Sequence, residues 1–205
     1  MIRTVHIAVY PTLADWEIGL LSAHINSSQF QRGEEQFQIV TVAKSLAPIR
    51  TKGGMTILPD ISLEQLDVKH SAILILPGAD NSHEIDVFAP KTFEYKKAKI
   101  PMAAICGATA MLARNGLLND VEHTSNMKAF LEGKSYQGAH LYRDVPAVSD
   151  GNIITASGLA PVEFSVEVFR QLEVYSEMAL SAWFDLFKHQ DASAFFRFME
   201  GCKSE

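Results

Sequence analysis

The sequence predicts an α/β protein built on a mostly parallel sheet with helices on both faces. Three observations carry that prediction. The stretches Val5 to Tyr10, Ser71 to Leu76 and Pro101 to Ile105 are apolar at nearly every position. The segments between them place apolar residues at helical spacing, and proline or glycine punctuates the ends of the apolar runs. A strand with one wet face alternates apolar and polar residues, whereas a continuous apolar run is covered on both sides. Alternation of such strands with helices selects crossover connections and a parallel sheet.

In chain order, Val5 to Tyr10 is the first strand, closed by Pro11. Asp15 to Ser28 carries Trp16, Leu20, Leu21 and Ile25 at helical spacing and is expected to be a helix. Phe37 to Val42 is the second strand, and Ile49 to Leu58 is a short hairpin around Gly53-Gly54. Ser71 to Leu76 is a strand that ends in Pro77-Gly78-Ala79-Asp80, and Phe88 to Lys99 is helical. The strand up to Ile105 leads into a helix from Cys106 to Arg114. Val121 to Asn126 is expected as a short strand, and Tyr142 to Thr155 as a hairpin turning at Asp150-Gly151-Asn152, a strong turn signal. Pro161 to Leu172 is a helix with proline in its first turn. Two more amphipathic helices follow, one through Met178, Trp183, Phe184 and Phe187, the other through Phe195, Phe196, Phe198 and Met199.

A chain of 205 residues has room for one large core. We expect residues 1–173 to form that α/β body and residues 174–205 to be a helical extension of the same domain. The net charge of −6 and the lack of a basic cluster argue against nucleic acid and anionic membrane as partners. No apolar run is long enough to span a bilayer. The start of the chain enters a strand without a signal-peptide core, and the two cysteines lie far apart without metal-ligand spacing. We therefore expect a cytoplasmic protein and assign it no metal and no cofactor.

Cys106 is the most informative residue. It stands at the joint between an apolar strand and a helix, beside unpaired helix N–H groups and the positive end of the helix dipole. Both favour a thiolate, so its thiol is expected to titrate below an ordinary cysteine. The bland alternative is an inert packed cysteine. In a parallel sheet, reactive groups gather at the carboxyl ends of strands. The loops Pro11 to Glu17 and Pro77 to Ser82 should then meet Cys106 on one edge.

Ala104-Ile105-Cys106-Gly107-Ala108 followed by Gly116-Leu117-Leu118-Asn119 resembles the elbow region of the DJ-1/PfpI superfamily. Pro77-Gly78-Ala79 looks like that family's Pro-Gly-Gly loop. Tyr10-Pro11 with an acid at Glu17 resembles its first strand and loop, especially in the isonitrile-hydratase-like branch. The Asp150 to Ala156 run followed by a helix is similar too. The resemblance spans about residues 3 to 173. It implies a flavodoxin-like three-layer sandwich of the class I glutamine-amidotransferase type, with extra helices at the C-terminus, and a homodimer.

The resemblance also implies roles. Cys106 would be the nucleophile or oxidisable thiol. Glu17 would hold a proton for its thiolate or sulfinate; from the residues alone, Glu17 reads as a solvated acid in a helix's first turn. Gly78, Ala79 and Gly107 would offer backbone N–H groups as an oxyanion hole, with an ordinary Pro-Gly turn as the alternative. One departure matters. Relatives place histidine directly after the cysteine or twenty positions beyond it, where this chain has Gly107 and Asn126. Asparagine cannot act as a base at neutral pH. His123, at an odd offset from Asn126, would point to the opposite face of a strand, and His24 and His140 have no required place near the site. Cys202 reads as a bystander.

Three readings of function follow. One is a redox-sensing or protective protein in which an oxidant modifies Cys106. Another is a cysteine-dependent hydrolase, amidase, glyoxalase-like or hydratase enzyme acting on a small carbonyl or nitrogenous substrate. A binding module without turnover is the third reading.

Overall fold

The computed structural model describes residues 2–31 and 36–202. A seven-stranded sheet runs through its centre in the order β5-β2-β1-β6-β7-β9-β8. In chain order these are β1 (Ile2–Ala8), β2 (Gln36–Ala43), β5 (Ile61–Ser62), β6 (Ser71–Leu76), β7 (Met102–Ile105), β8 (Ala147–Asp150) and β9 (Ile153–Ala156). A two-stranded hairpin, β3 (Ile49–Arg50) with β4 (Thr56–Ile57), stands apart. All pairings in the large sheet are parallel except β8 with β9 at one edge. Val5, Ile73, Leu74, Ile75, Leu76, Ala103, Ala104 and Ile105 have no exposed surface, as continuous apolar runs require.

Helices cover both faces. α1 (Gly19–Ile25) and α5 (Pro161–Leu172) pack together on one side, and α5 lies against β7, β8 and β9. On the other side, α4 (Gly107–Arg114) packs on β7 and meets α2 (Ser82–Asp86) and α3 (Ala89–Ala98). This is the expected three-layer α/β sandwich. α6 (Glu177–Lys188) packs on α5, and α7 (Ala194–Gly201) packs on α6. Trp183 of α6, fully buried, stacks its ring edge-on against Phe169 of α5 at 5.1 Å between ring centres.

Several elements differ from the sequence reading. The helix expected over residues 15–28 is broken: Asp15–Glu17 forms a single 3-10 turn, and α1 begins only at Gly19. Residues 121–126 form no strand. His123 makes only an isolated bridge with Tyr142, because β9 takes its antiparallel partner from β8. The late hairpin is accordingly shorter than Tyr142 to Thr155. The strand β5 and the helix α2 are too short to show a period in the sequence.

The topology creates a crevice. From β1 the chain moves to β2 on one side, then returns to β6 on the other. At such a switch point the loops leaving two neighbouring strands diverge and leave space at their carboxyl ends. The loops after β1 and β6 open there, with the ends of β7 and β9 next in line.

Candidate functional site

Cys106 links β7 directly to α4. Its backbone sits at φ 59° and ψ −125°, a conformation that L-residues rarely adopt. Such a residue costs on the order of 1–3 kcal/mol and persists only where its surroundings impose it. Here its N–H donates to the Ala156 carbonyl at 3.0 Å. Its carbonyl accepts from Thr109 Oγ1 at 2.6 Å. Thr109 Oγ1 is in turn 2.7 Å from Ser125 Oγ. The strained turn holds the half-buried sulfur at the sheet edge, where the Gly107 N–H also reaches it.

Glu17 is brought to the sulfur by the 3-10 turn after β1. It is only 1% exposed, not the solvated first-turn acid that its sequence context suggests. Oε2 accepts the Gly78 N–H at 2.5 Å. Oε1 is buried without a well-formed hydrogen bond. It lies on the Cys106 side of the carboxyl: a β-carbon built on Gly78 would fall 3.0 Å from Sγ and 3.1 Å from Oε1. One built on Gly158 would fall 2.8 Å from Sγ and 3.2 Å from Oε1. Two side-chain-free residues therefore flank the sulfur and carboxyl, and a methyl at either would force them apart.

The convergence expected from topology is present, since Glu17, Gly78 and Cys106 meet. Gly78 has a different job from the one expected. Its N–H is engaged by Glu17, so it is not an open donor for a substrate oxygen in this arrangement. Ala79 keeps its backbone against Gly107: a β-carbon on Gly107 would lie 3.7 Å from the Ala79 carbonyl oxygen and 3.9 Å from its nitrogen.

Asn126, at the position where the resemblance would have placed a histidine, acts as a donor. Its Nδ2 reaches Cys106 Sγ at 3.2 Å. Its Oδ1 accepts the Gly158 N–H at 2.8 Å, which fixes the amide's orientation. Trp16 Nε1 donates to the Gly158 carbonyl at 3.0 Å and ties the loop after β1 to the loop after β9. Neither Gly158 nor Trp16 carries a sequence signal, because each matters only through contacts made across the sheet edge. His123 is fully buried away from the sulfur, its ring between the Val121 carbonyl at 2.8 Å and the Tyr136 hydroxyl at 2.8 Å. His24 packs among aromatic rings, 5.2 Å from Trp183 and 5.0 Å from Phe187. Neither can serve as a base for Cys106.

Burial dominates the electrostatics. It raises the Glu17 carboxyl from 4.5 to about 7, against opposition from the Gly78 N–H, Cys106 and the Lys52 ammonium. Burial also pushes the Cys106 thiol up, and the charge of Glu17 adds to this; the Asn126 and Gly107 donors pull the other way. The expectation of a thiol below the ordinary range is thus not met, because desolvation outweighs the donors. Once Glu17 is neutral, its charge no longer opposes the thiolate. The ionisation of either group thus bears on that of the other. Among the described residues no group of His, Cys, Asp and Glu side chains could hold a metal ion, and no helix is long and apolar enough to cross a membrane.

The DJ-1/PfpI family model matches residues 3–171. The chain is 40% identical over 203 residues to the uncharacterized protease YoaZ of Bacillus subtilis, covering 96% of each. It is 24% identical over 141 residues to the glutathione-independent glyoxalase DJR-1.2 of Caenorhabditis elegans, covering 66% of this chain and 74% of that protein. The crystal structure of a ThiJ/PfpI family protein from Bacillus anthracis superposes with a TM-score of 0.91 at 36% identity, covering 98% of this chain and 97% of that one.

Proposed function

The chain belongs to the DJ-1/PfpI family, and from that premise we propose that it is an oxidant-responsive protective protein whose working group is the Cys106 sulfur, with Glu17 as its proton partner. The observation that carries this reading is the pairing of a strained elbow cysteine with a buried, proton-holding carboxyl and an asparagine donor, with no histidine base in reach. Oxidation by a peroxide needs no such base. The thiolate attacks one peroxide oxygen, the O–O bond breaks, and the departing oxygen leaves as hydroxide or alkoxide and takes up a proton. The product is a sulfenic acid, and a second peroxide carries it to sulfinate. A protonated Glu17 then donates to the new sulfur-bound oxygen. The space between Gly78 and Gly158 is where that oxygen would stand.

A second reading is a glyoxalase-like enzyme acting on a small carbonyl compound. The Gly107 N–H at the sulfur, with the Ala79 backbone packed against Gly107, would hold the developing oxyanion, and Glu17 would move the proton. The name of the Caenorhabditis elegans relative points to this chemistry, whereas YoaZ carries the name of a protease. Amide hydrolysis needs a proton for the leaving amine, and no histidine is placed to supply it. We further propose a homodimer working in the cytoplasm on a small-molecule substrate or oxidant; two free thiols fit a reducing compartment.

The test is mass analysis after dilute peroxide, with methylglyoxal and small-amide consumption assayed in parallel. The protective reading expects two oxygens added at Cys106 and none at Cys202, without turnover. Turnover that disappears in Cys106→Ser, with no oxidation selective for Cys106, would overturn it in favour of the enzyme.

A further inference from the structure

Tyr10 follows β1, and its side chain is 2% exposed, with its ring edge-on to Phe88 at 5.8 Å between ring centres. Its hydroxyl donates to the Pro77 carbonyl, in the loop after β6. That carbonyl and the Gly78 N–H are the two ends of one peptide unit. The N–H end is the donor that Glu17 Oε2 accepts at 2.5 Å. We infer that Tyr10 is a positioning residue: by fixing the Pro77–Gly78 peptide it aims the Gly78 N–H at Glu17 Oε2, and so leaves Oε1, the oxygen on the sulfur's side, to carry the proton. The role rests on the pairing of Glu17 with Cys106 proposed above.

A peptide unit is planar, so its C=O and N–H turn together, and holding one end aims the other. The sulfur requires glycine at position 78, since a β-carbon there would fall 2.8 Å from the Cys106 β-carbon and 3.0 Å from Sγ. Glycine, however, leaves the peptide before it free to turn. The Gly78 carbonyl accepts the Ala14 N–H at 2.9 Å, which holds the following peptide and not this one. The Tyr10 hydroxyl supplies the missing restraint at the Pro77 carbonyl. It can do so at any working pH. Burial pushes the hydroxyl well above its ordinary range, the charges of Glu17 and Cys106 push the same way, and it keeps its proton.

The two oxygens of Glu17 therefore divide their work. A protonated Oε2 would face the Gly78 N–H with a hydrogen of its own, so the proton belongs on Oε1. Oε1 is buried without a well-formed hydrogen bond, on the Cys106 side of the carboxyl. There a thiolate or a sulfur-bound oxygen can receive the proton. The other groups that bear on Glu17 are Cys106 and the ammonium of Lys52, from the turn between β3 and β4, which pairs with Asp80.

The test is the iodoacetamide rate at Cys106 against pH in the full chain, for wild type, Tyr10→Phe, Glu17→Gln and the double variant. Tyr10→Phe removes one oxygen and keeps the ring against Phe88. Burial raises the Glu17 carboxyl to about 7 and the Gly78 N–H opposes it. Releasing that N–H should move the first shoulder of the profile upward by about one pH unit, the size of one hydrogen bond to a charged group. In the Glu17→Gln background the same substitution should shift nothing, a dependence that a merely structural hydroxyl would not show. A wild-type shoulder that Tyr10→Phe leaves in place, or an equal shift in the Glu17→Gln background, would overturn the role of Tyr10 alone. A single rise in the wild type would overturn the pairing of Glu17 with Cys106, and the role with it. Should Tyr10→Phe fail to fold, the wild-type chain carrying 3-fluorotyrosine decides. Its hydroxyl is a stronger donor that polarises the peptide further, so the shoulder should move down, and an unmoved shoulder would overturn the proposal.

Discussion

His6 within β1 and Glu17 beyond its carboxyl end respond to burial in the same way, yet only one of them faces a reactive group. Burial lowers His6 from 6.5 to about 4, helped by the nearby His70, and raises Glu17 from 4.5 to about 7. In both cases the neutral form wins because charge is expensive away from water. His6 Nδ1 meets the Ser71 hydroxyl at 2.9 Å, and that hydroxyl gives its own proton to the Ile73 carbonyl at 3.0 Å. Glu17 meets a cysteine on strained backbone, between two residues that lack side chains. A shifted pKa therefore marks burial; a site needs the shifted group, a reactive partner and space between them.

The pair also predicts opposite pH dependences of stability, the largest effect expected. The pKa of Glu17 is raised on folding, so its contribution is complete below about 4.5 and is lost as pH rises through about 7. The amount is about 3 kcal/mol. Chemical denaturation across this range should show Glu17→Gln without that loss, gaining on the wild type as pH rises. The pKa of His6 is depressed, so its contribution is complete above 6.5 and is lost as pH falls through about 4. Allowing for partial solvent screening, this is on the order of 2 kcal/mol. His6→Asn should flatten the acid limb alone and leave Cys106 reactivity unchanged. If both variants altered the same limb, the comparison would fail.

Gly158→Ala ranks next. Its methyl would fall 2.8 Å from the sulfur, and we expect about 2 kcal/mol of destabilisation in thermal melts, typical of overpacking. Peroxide modification of Cys106 should fall with it. Asn126→Asp keeps an acceptor for Gly158 but turns the sulfur's donor into a charge, and alkylation at neutral pH should drop about tenfold. The smallest effect on the site belongs to His123→Phe. It should cost about 1–3 kcal/mol in stability through lost buried hydrogen bonds, with Cys106 alkylation rates unaltered. A large fall in those rates would link the buried histidine cluster to the sulfur.

Much of the fold was legible because parallel strands buried on both faces advertise themselves as unbroken apolar runs, as Ser71–Leu76 does. Cys106 was legible for a related reason: a residue at a strand-to-helix joint is forced into a sharp turn at the carboxyl edge of the sheet. Glu17 was legible only through resemblance, since an acid in a first turn is ordinarily solvated. Gly158, Trp16 and the donor role of Asn126 were not legible. Each depends on contacts made by chain segments far apart in sequence, such as the Trp16 to Gly158 bond. Residues 121–126 misled because β-branched residues such as Val121 and Thr124 state a preference for extended backbone and not a partner.

The coupling between Cys106 and Glu17 is tested most directly by the iodoacetamide rate at Cys106 as a function of pH, in wild type and in Glu17→Gln. Plotted as the logarithm of rate, the wild type should rise to a first shoulder near 7, where the pair loses its first proton. It should rise again at higher pH with the second proton, and Glu17→Gln should show a single rise. One rise, at the same pH in both proteins, would contradict a linked ionisation of sulfur and carboxyl.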